Sequence, residues 1–336
     1  MDPLTQAVVG SAVAASLSKR NEVVPFALAG ALAGMAPDLD TLIRSASDPL
    51  LFLEYHRHFT HSLIFIPIGG AIVGLILALL LRRWWPMQKR RYVFAATAGW
   101  ATHGLLDACT SYGTQLFWPF TDHRVAWDSI SIIDPILTLG ALLILVIAIT
   151  RRSINLSRFA VAFIVSYLAL GFVQHQRAIA QAKVIIAERG HFPEQISAKP
   201  SFANLLLWKI VYQWEDAFYV DAINIGFNDR WYPGESTPRL DVANTCLTNE
   251  LTQLNDIERF RWFSKDYIAI DPRDPHYIID VRYSMLPNEI RPLWGVRIAC
   301  NQNQQEHVRY EMSRDISPER RQQLIDMLAG RVISAE

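Results

Sequence analysis

Histidines and aspartates with the spacing of metal ligands occur in three short clusters in the first third of this sequence. In the first cluster, Asp38 and Asp40 lie within Ala-Pro-Asp-Leu-Asp, and carboxylates two residues apart in an extended turn can point toward the same ion. Carboxylate oxygens suit hard or borderline divalent cations. This cluster predicts two metal ligands, although two aspartates that cap a loop explain it equally well when it is considered alone.

The second cluster contains three imidazoles within six residues, at His56, His58 and His61. This density is unusual for a purely structural role. On a continuous helix His56 and His61 would lie roughly 140° apart, whereas His58 and His61 would share a face. If His56 and His61 are the ligand pair, a helix must begin between them, with Thr60 as its N-cap.

The third cluster is the pair His103 and Asp107, which lies in an apolar segment. Residues four apart project from one face of a helix. Ionisable side chains within a membrane segment are costly and usually face a polar interior, so they indicate a functional site. The alternative is a hydrogen-bonded His–Asp pair that holds helices together.

Together the clusters supply more ligands than one tetrahedral zinc site requires. The six predicted metal ligands are Asp38, Asp40, His56, His61, His103 and Asp107. We expect a divalent metal, with zinc favoured, and more than one ion is compatible with this number. Such ions polarise a phosphoryl or acyl oxygen and supply hydroxide from a bound water at neutral pH. The residues predicted to be catalytic are Asp38, His61 and Asp107.

The sequence favours metal-activated water over a serine nucleophile, because no Gly-x-Ser-x-Gly motif supports Ser62 or Ser111. Arg57 and Arg124 are the arginines best placed to bind an anionic substrate, since a guanidinium matches the geometry of phosphate. Solvated loop charges are an equally good explanation of these two arginines. Asp134 precedes a proline and is predicted to cap a helix rather than to bind metal.

The elements that must position these clusters are apolar runs, nearly all of which precede about residue 175. Ser62–Leu81 is uncharged over twenty residues, about the thickness of a bilayer core, and is the strongest predicted span. Three further spans are predicted at Val93–Cys109, Ile132–Ile149 and Phe159–Val173. Pro3–Leu17 and Val23–Met35 are shorter and predict a helical hairpin, whose first helix begins at an Asp2 N-cap.

The charge distribution predicts an orientation in the membrane. The 32 basic and 32 acidic residues balance, which argues against a nucleic-acid partner. If the spans alternate, one side carries most of the loop cations: Lys19, Arg20, Arg82, Arg83, Lys89, Arg90, Arg91, Arg151, Arg152 and Arg158. The other side carries Arg44, Arg57 and Arg124. By the positive-inside rule, the His/Asp clusters and everything after the last span face the extracytoplasmic side.

The ordered motifs resemble the membrane-bound metal-dependent hydrolase family, also described as LexA-binding, inner-membrane-associated hydrolases. The resemblance covers roughly residues 1–180 and rests on Met1-Asp2-Pro3-Leu4-Thr5, Pro37-Asp38-Leu39-Asp40, His56-Arg57, Thr60-His61-Ser62, His103 through Asp107, and Thr110-Ser111-Tyr112-Gly113-Thr114-Gln115 to Trp118-Pro119-Phe120. It implies an integral protein of the inner membrane and the same six ligands, and it assigns no substrate.

Two positions bear on how far the resemblance extends. His58 stands where the family often has glycine, so His58 is treated as accessory. Gln6 stands where many members have histidine, which puts one metal position in doubt because an amide is a poor substitute for imidazole.

The sequence after the last span predicts a soluble α+β domain with antiparallel strands. The predicted domains are a membrane-embedded, metal-binding helical domain at 1–178 and an extracytoplasmic domain at 190–336. Segments rich in Val, Ile and aromatic residues predict strands at Leu205–Trp214, Phe218–Phe227, Tyr277–Tyr283 and Trp294–Ala299, and Ser317–Ala329 predicts a closing helix. Cys246 and Cys300 could form a disulfide or remain buried thiols.

The sequence thus predicts an α-helical membrane bundle of about four spans plus the short hairpin, followed by the α+β domain. The function it favours is metal-dependent hydrolysis of an ester or phosphoester, with membrane lipid around the protein and a small-molecule or lipid-like substrate. The alternative is a non-enzymatic membrane protein with a structural metal and a soluble domain that binds a protein partner.

Overall fold

The computed structural model describes residues 1–226, 228–247, 251–300, 306–313 and 317–332. The chain divides into two compact units. The helical unit comprises Met1–Ile43, Tyr55–Val173 and Phe202–Asn204. The mixed unit comprises Arg44–Glu54, Gln174–Ser201 and Leu205–Glu336.

The first two thirds of the chain contain most of the helices. They are α1 (Pro3–Ser16), α2 (Val23–Met35), α3 (Leu51–Tyr55), α4 (Ile66–Leu81), α5 (Lys89–Ala108), α6 (Pro135–Thr150) and α7 (Ile154–Glu188). The predicted caps are present, because Asp2 accepts the backbone N–H of Thr5 and Asp134 accepts that of Leu137. Both are followed by a proline at the first helical position, where a missing N–H costs nothing.

Small residues let α1, α2 and α5 approach closely. A Cβ atom on Gly10 would lie 2.5 Å from the carbonyl oxygen of Gly30, and one on Gly99 would lie 2.4 Å from the same oxygen. Helices in membranes associate through such backbone contacts, since lipid is as apolar as a leucine side chain. The glycines therefore bring the start of α1, the end of α2 and the end of α5 to one place.

In the described part of the chain, three helical stretches are long and apolar enough to cross a membrane: Arg20–Leu42, Leu63–Leu81 and Ile154–Glu188. The second corresponds to the predicted span Ser62–Leu81 without its first residue, and the third contains the predicted span Phe159–Val173. The first was predicted only as half of a short hairpin, but 3₁₀ turns on both sides of α2 extend it to 23 residues. The other two predicted spans correspond to α5 and to the 16-residue α6. The helical bundle is confirmed, with about three candidate spans.

The mixed unit contains two antiparallel sheets. The strands are β1 (Ile196–Pro200), β2 (Leu207–Trp214), β3 (Ala217–Asn224), β4 (Arg230–Tyr232), β5 (Ser236–Pro238), β6 (Ile268–Asp271), β7 (Asp274–Asp280), β8 (Trp294–Arg297) and β9 (Arg309–Met312). One sheet has the order β1-β2-β3-β4, with β5 also paired to β3, and the other has the order β6-β7-β8-β9. Two helices, α8 (Leu251–Phe263) and α9 (Pro318–Leu328), complete the unit.

Both faces of the first sheet are covered. On one face, Trp208 and Ile210 pack against Ala178 and Ala182 from the end of α7. On the other, residues of β2 and β3 share a core with Ile279 and its neighbours in the second sheet. This burial explains why β2 reads as a nearly continuous apolar run.

The predicted antiparallel strands correspond to β2, β3, β7 and β8, and Ser317 caps α9 as predicted. Phe227, the predicted end of one strand, lies outside the described residues. Helix α8 and the short strands were not predicted, because polar residues interrupt their apolar pattern.

A disulfide joins Cys246 and Cys300, whose Cα atoms are 5.8 Å apart, and Cys109 is a buried free thiol. Of the two possibilities left by the sequence, the structure has the covalent pair. The bond closes a loop of 54 residues and restricts the unfolded chain, which stabilises a domain by about 2–4 kcal/mol.

We expect alkylation of the denatured, unreduced protein to modify one cysteine, and alkylation after reduction to modify all three. Intact-mass measurement before and after reduction counts the modified thiols. A Cys246→Ser, Cys300→Ser double variant is the control and should give one modified thiol in both conditions. Three reactive thiols without reduction would contradict the pairing.

Candidate metal centre

Asp38 and Asp40 lie on a 3₁₀ helix, Ala36–Leu42, that continues directly from α2. The sequence interpretation placed them in an extended turn that aims both carboxylates at one ion. In a 3₁₀ helix, residues two apart point about 120° away from one another. The two carboxylates consequently contact opposite nitrogens of the same ring, that of His61.

His61 closes a short 3₁₀ turn, Phe59–His61, and α4 begins only at Ile66. The predicted helix start with Thr60 as N-cap is therefore wrong in detail. The Thr60 hydroxyl instead donates to Asp40 Oδ2 at 2.8 Å. The prediction required His56 and His61 to lie near one another. The irregular backbone before α4 places them so, because both contact Asp40.

His103 and Asp107 lie on one face in the last two turns of α5, and neither is accessible to solvent. Gly104 lies between them, and a Cβ atom there would be 2.2 Å from the carbonyl oxygen of His61. A glycine at this position lets the His61 backbone approach α5 closely. The two imidazoles meet as a result, with 2.9 Å between their Nε2 atoms.

Four side chains form the centre of the cluster: Asp38, His61, His103 and Asp107. Asp38 Oδ1 lies 3.4 Å from His61 Nε2 and 3.3 Å from His103 Nε2. Asp107 Oδ2 lies 3.4 Å and 3.7 Å from the same two nitrogens. Three separate segments of chain thus contribute to one compact set of donor atoms.

These separations fit the requirements of a metal site. Nitrogen and oxygen ligands about 2.0–2.2 Å from a tetrahedral ion lie about 3.3–3.6 Å from one another, and the observed distances of 2.9–3.7 Å bracket that spacing. Asp107 Oδ2 is buried and lies 2.9 Å from Arg57 Nε, so its charge is partly balanced within the protein. A cation at the centre would add a further positive partner.

A second group of possible ligands shares Asp38 with the first. It consists of Asp38, Asp40 and His56, whose nearest donor atoms lie within 4.8 Å of one another. All six predicted ligands therefore lie in two adjoining groups, one buried and one partly open to solvent. A third group, Cys246, His276 and Cys300, is not a comparable site because its cysteines form the disulfide.

Hydrogen bonds fix the two central rings so that Nε2 faces the centre. His61 Nδ1 lies 3.1 Å from Asp40 Oδ2, and His103 Nδ1 contacts the carbonyl oxygen of Gly34. A histidine that donates Nδ1–H to an oxygen turns its Nε2 toward the centre, where a bound cation would take the place of the Nε2 proton. Asp40 also accepts from the backbone N–H of Arg57, so it organises the whole segment before α4.

His56, in the partly open group, differs in protonation from the buried His61. Burial lowers the pKa of His56 despite its hydrogen bond to Asp40, so this ring is neutral at pH 7. Burial also opposes a charge on His61, but contacts with Asp107, Asp38 and Asp40 outweigh it and raise the pKa of His61 to about 10.

The two arginines predicted to bind substrate are buried and directed inward. Arg57 Nε lies 2.9 Å from Asp107 Oδ2, and its Nη1 donates to the Thr110 hydroxyl at 2.8 Å. Arg124 donates to the carbonyl oxygen of Gly113. Both guanidinium groups lie over the ring of Tyr112, at 4.9 and 5.6 Å from its centroid. Their role toward a substrate remains a prediction, since the contacts seen here are with the protein itself.

Gln6 and Met1 also contact Asp107 inside the cluster. Gln6 is inaccessible to solvent, and its side-chain nitrogen donates to Asp107 Oδ1 at 3.0 Å. The amino group of Met1 contacts the same oxygen. Gln6 was noted from the sequence only as a departure from a family pattern, and its direct contact with a ligand residue is a tertiary feature. His58 lies among aromatic rings, 5.4 Å from those of Tyr55 and Trp118.

The fold and the cluster define a multi-span helical membrane protein with a buried His/Asp centre. The chain belongs to the YdjM inner membrane protein family, which it matches over residues 1–178. This supports the membrane part of the resemblance, whereas hydrolysis and LexA binding remain predictions.

Two relatives are similar to this chain. The uncharacterized protein YfhP of Bacillus subtilis (strain 168) is 26% identical over 259 residues, which cover 75% of this chain and 76% of YfhP. The inner membrane protein YbcI of Escherichia coli (strain K12) is 30% identical over 135 residues, which cover 38% of this chain and 75% of YbcI. No solved structure matches this chain.

We expect Asp40→Asn to weaken divalent-metal binding by roughly 10–100-fold, because an amide cannot replace the carboxylate that orients His61 and holds the Arg57 backbone. Equilibrium dialysis of the purified protein against Zn²⁺, followed by elemental analysis, measures the change. Asp122→Asn, which alters an exposed loop carboxylate, is the matched control. Unchanged affinity in the Asp40 variant would contradict this role.

Proposed function

We propose that the cluster binds one or two divalent cations, with zinc favoured, and that the protein uses them to hydrolyse an ester or phosphoester at the membrane. The observation that carries the proposal is the set of five separations between ligand atoms, 2.9–3.7 Å, made by side chains from three segments. A structural His–Asp pair would need only two of these residues. Bound cations would polarise the ester oxygen and make a water molecule acidic enough to react near neutral pH.

The residues divide into distinct roles in this proposal. His61, His103, Asp38 and Asp107 hold the buried cation, and Asp38 is shared with the second position at Asp40 and His56. The buried ion pair of Asp107 with Arg57 balances part of the negative charge when no cation is bound.

In this proposal, a substrate reaches the cluster beside Asp38. Its side chain is 21% exposed and that of His56 is 20% exposed, whereas those of His61, His103 and Asp107 are fully buried. Asp38 is therefore placed to accept a proton from an attacking water molecule where the cluster meets solvent. The buried residues keep water away from the opposite side.

The surroundings of Asp38 favour an amphiphilic, lipid-like substrate. Leu39 and Leu42, on the same 3₁₀ helix, are 65% and 77% exposed. Exposed apolar side chains next to a polar centre suit a molecule whose ester group enters the cluster while its hydrocarbon chain stays in lipid. A water-soluble phosphoester would not use these contacts.

We expect the purified protein to hydrolyse a lipid ester or phosphoester, and we expect a chelator to abolish the activity. Asp38→Asn should reduce turnover roughly a hundredfold or more, as expected for loss of a proton acceptor, and His103→Ala should remove bound metal as well. A colorimetric screen of soluble and micellar esters, together with metal analysis, measures both effects.

The matched controls for these variants are Asp122→Asn and His123→Ala, which change exposed loop residues of the same types. Full metal content without hydrolysis of any ester would favour a structural metal and a partner-binding role for the mixed unit. A folded wild-type protein that binds no metal would refute the hydrolase proposal outright.

The proposed location is the inner membrane with the C-terminal domain on the extracytoplasmic side. The arginine-rich loops support this orientation, and the Cys246–Cys300 disulfide is of the kind that persists in oxidising compartments.

We expect alkaline phosphatase fused to the C-terminus to be active in a bacterial host and a cytoplasmic fluorescent protein fused there to be dark. The reason is that the phosphatase folds only outside the cytoplasm. Fusions to the loop between α4 and α5, after Arg83, provide the opposite control. Fluorescence from the C-terminal fusion would reverse the orientation.

A further inference from the structure

The segment between two of the metal-ligand clusters belongs to the mixed unit. Asp40 and His56 both lie in the helical unit and contact one another at 2.9 Å. The residues that connect them, Arg44–Glu54, group with the C-terminal part of the chain instead. The loop that joins two ligand residues is therefore folded as a part of a different unit.

Arg259, on α8, binds that loop through two of its carboxylates. Its guanidinium donates to Asp48 Oδ2 at 2.8 Å and to a carboxylate oxygen of Glu54. It also donates to Asp256, one turn earlier on α8, at 3.0 Å. One guanidinium binds three carboxylates through N–H donors whose directions are fixed by its planar structure. The geometry of the contact is therefore specific.

Apolar contacts secure the same loop. Leu50 and Leu53 are buried, at 1% and 2% exposure. The ring of Phe52 packs edge-on against that of Tyr310, with centroids 5.0 Å apart. The loop thus contributes buried side chains to a core and is not a solvent-exposed connection.

Helix α8, which carries Arg259, is itself held by hydrogen bonds to other parts of the mixed unit. Gln253, on the first turn of α8, exchanges two hydrogen bonds with the backbone of Ala299. Asp256 accepts from the backbone N–H of Val308 and contacts the ring of His307. Arg259 is therefore held by a helix that is tied to the end of β8 and to the segment that leads into β9.

We propose that Arg259 is a positioning residue for the metal centre, which it influences through the chain by fixing Arg44–Glu54 and thereby the spacing of Asp40 and His56. The inference rests on the proposed function of that centre. Glu54 is only two residues from His56, and Arg44 only four from Asp40, so freedom gained in the loop reaches both ligands directly. Helix α8 then supports the metal site through residues 44–54 without supplying a ligand.

The test uses the full-length protein in detergent and compares Arg259→Gln with Arg261→Gln. Arg261 lies on the same helix and pairs with Glu258 and Asp266, neither of which belongs to the loop. We expect Arg259→Gln to weaken Zn²⁺ binding roughly tenfold or more, the size typical of lost support around metal ligands. Arg261→Gln should retain the wild-type affinity.

A second readout is independent of metal. In metal-free protein, we expect the backbone amides of residues 55–62 to exchange hydrogen for deuterium roughly fivefold faster or more in Arg259→Gln than in wild type, because the preceding loop opens more often. An Asp48→Asn, Glu54→Gln double variant removes only the loop side of the contact and leaves Arg259 paired with Asp256. It should reproduce both effects if Arg259→Gln alone proves too unstable to purify.

Unchanged exchange of residues 55–62 in the double variant would overturn the inference. Unchanged Zn²⁺ affinity together with faster exchange would also overturn it, because the loop would then be held without any consequence for the site. Absence of Zn²⁺ binding in the wild type would instead refute the proposed function, and the exchange measurement would still decide whether Arg259 positions His56.

Discussion

Asp107 is a fully buried carboxylate near the end of a helix in an apolar bundle, and its charge must be compensated inside the protein. An unpaired charge in such surroundings costs several kcal/mol or more. Arg57, Gln6 and the amino group of Met1 all contact it, and His61 and His103 face it across the centre of the cluster. The start of α1, the segment before α4 and the end of α5 therefore meet at this point, and the glycine contacts between helices allow them to do so.

The need to balance the charge of Asp107 also accounts for the orientation of the two central histidine rings. Each central ring has one nitrogen fixed by an oxygen outside the central group of four side chains, Asp40 for His61 and the Gly34 carbonyl for His103. The other nitrogen is left facing the centre. Since Gly34 lies in α2 and Asp40 just after it, the end of that helix controls both rings. A cation at the centre would replace the protons and ion pairs that otherwise neutralise the carboxylates.

Residues 44–54, which join two of the candidate ligand segments, fold as part of the mixed unit. A loop that joins ligand residues is usually free to move, and ligand spacing then depends on the ligands alone. Here the loop is paired with Arg259, and its Leu50 and Leu53 are buried. In the proposal, such support would limit the number of conformations that the ligands give up when an ion binds, which is how surrounding residues strengthen metal sites.

The sequence by itself determined the features that depend on local pattern. Uncharged runs, caps followed by proline and alternating strands identify the helical bundle, the Asp2, Asp134 and Ser317 caps and four main strands, because each follows from residues close together in the chain. The six candidate ligands were also visible, since carboxylates and imidazoles are rare in apolar segments. Only the tertiary structure decided that Asp38 and Asp40 bracket one imidazole, that Arg57 faces Asp107, and that residues 44–54 fold with α8. These features depend on 3₁₀ geometry and on contacts between residues up to about 200 positions apart, which no local pattern encodes.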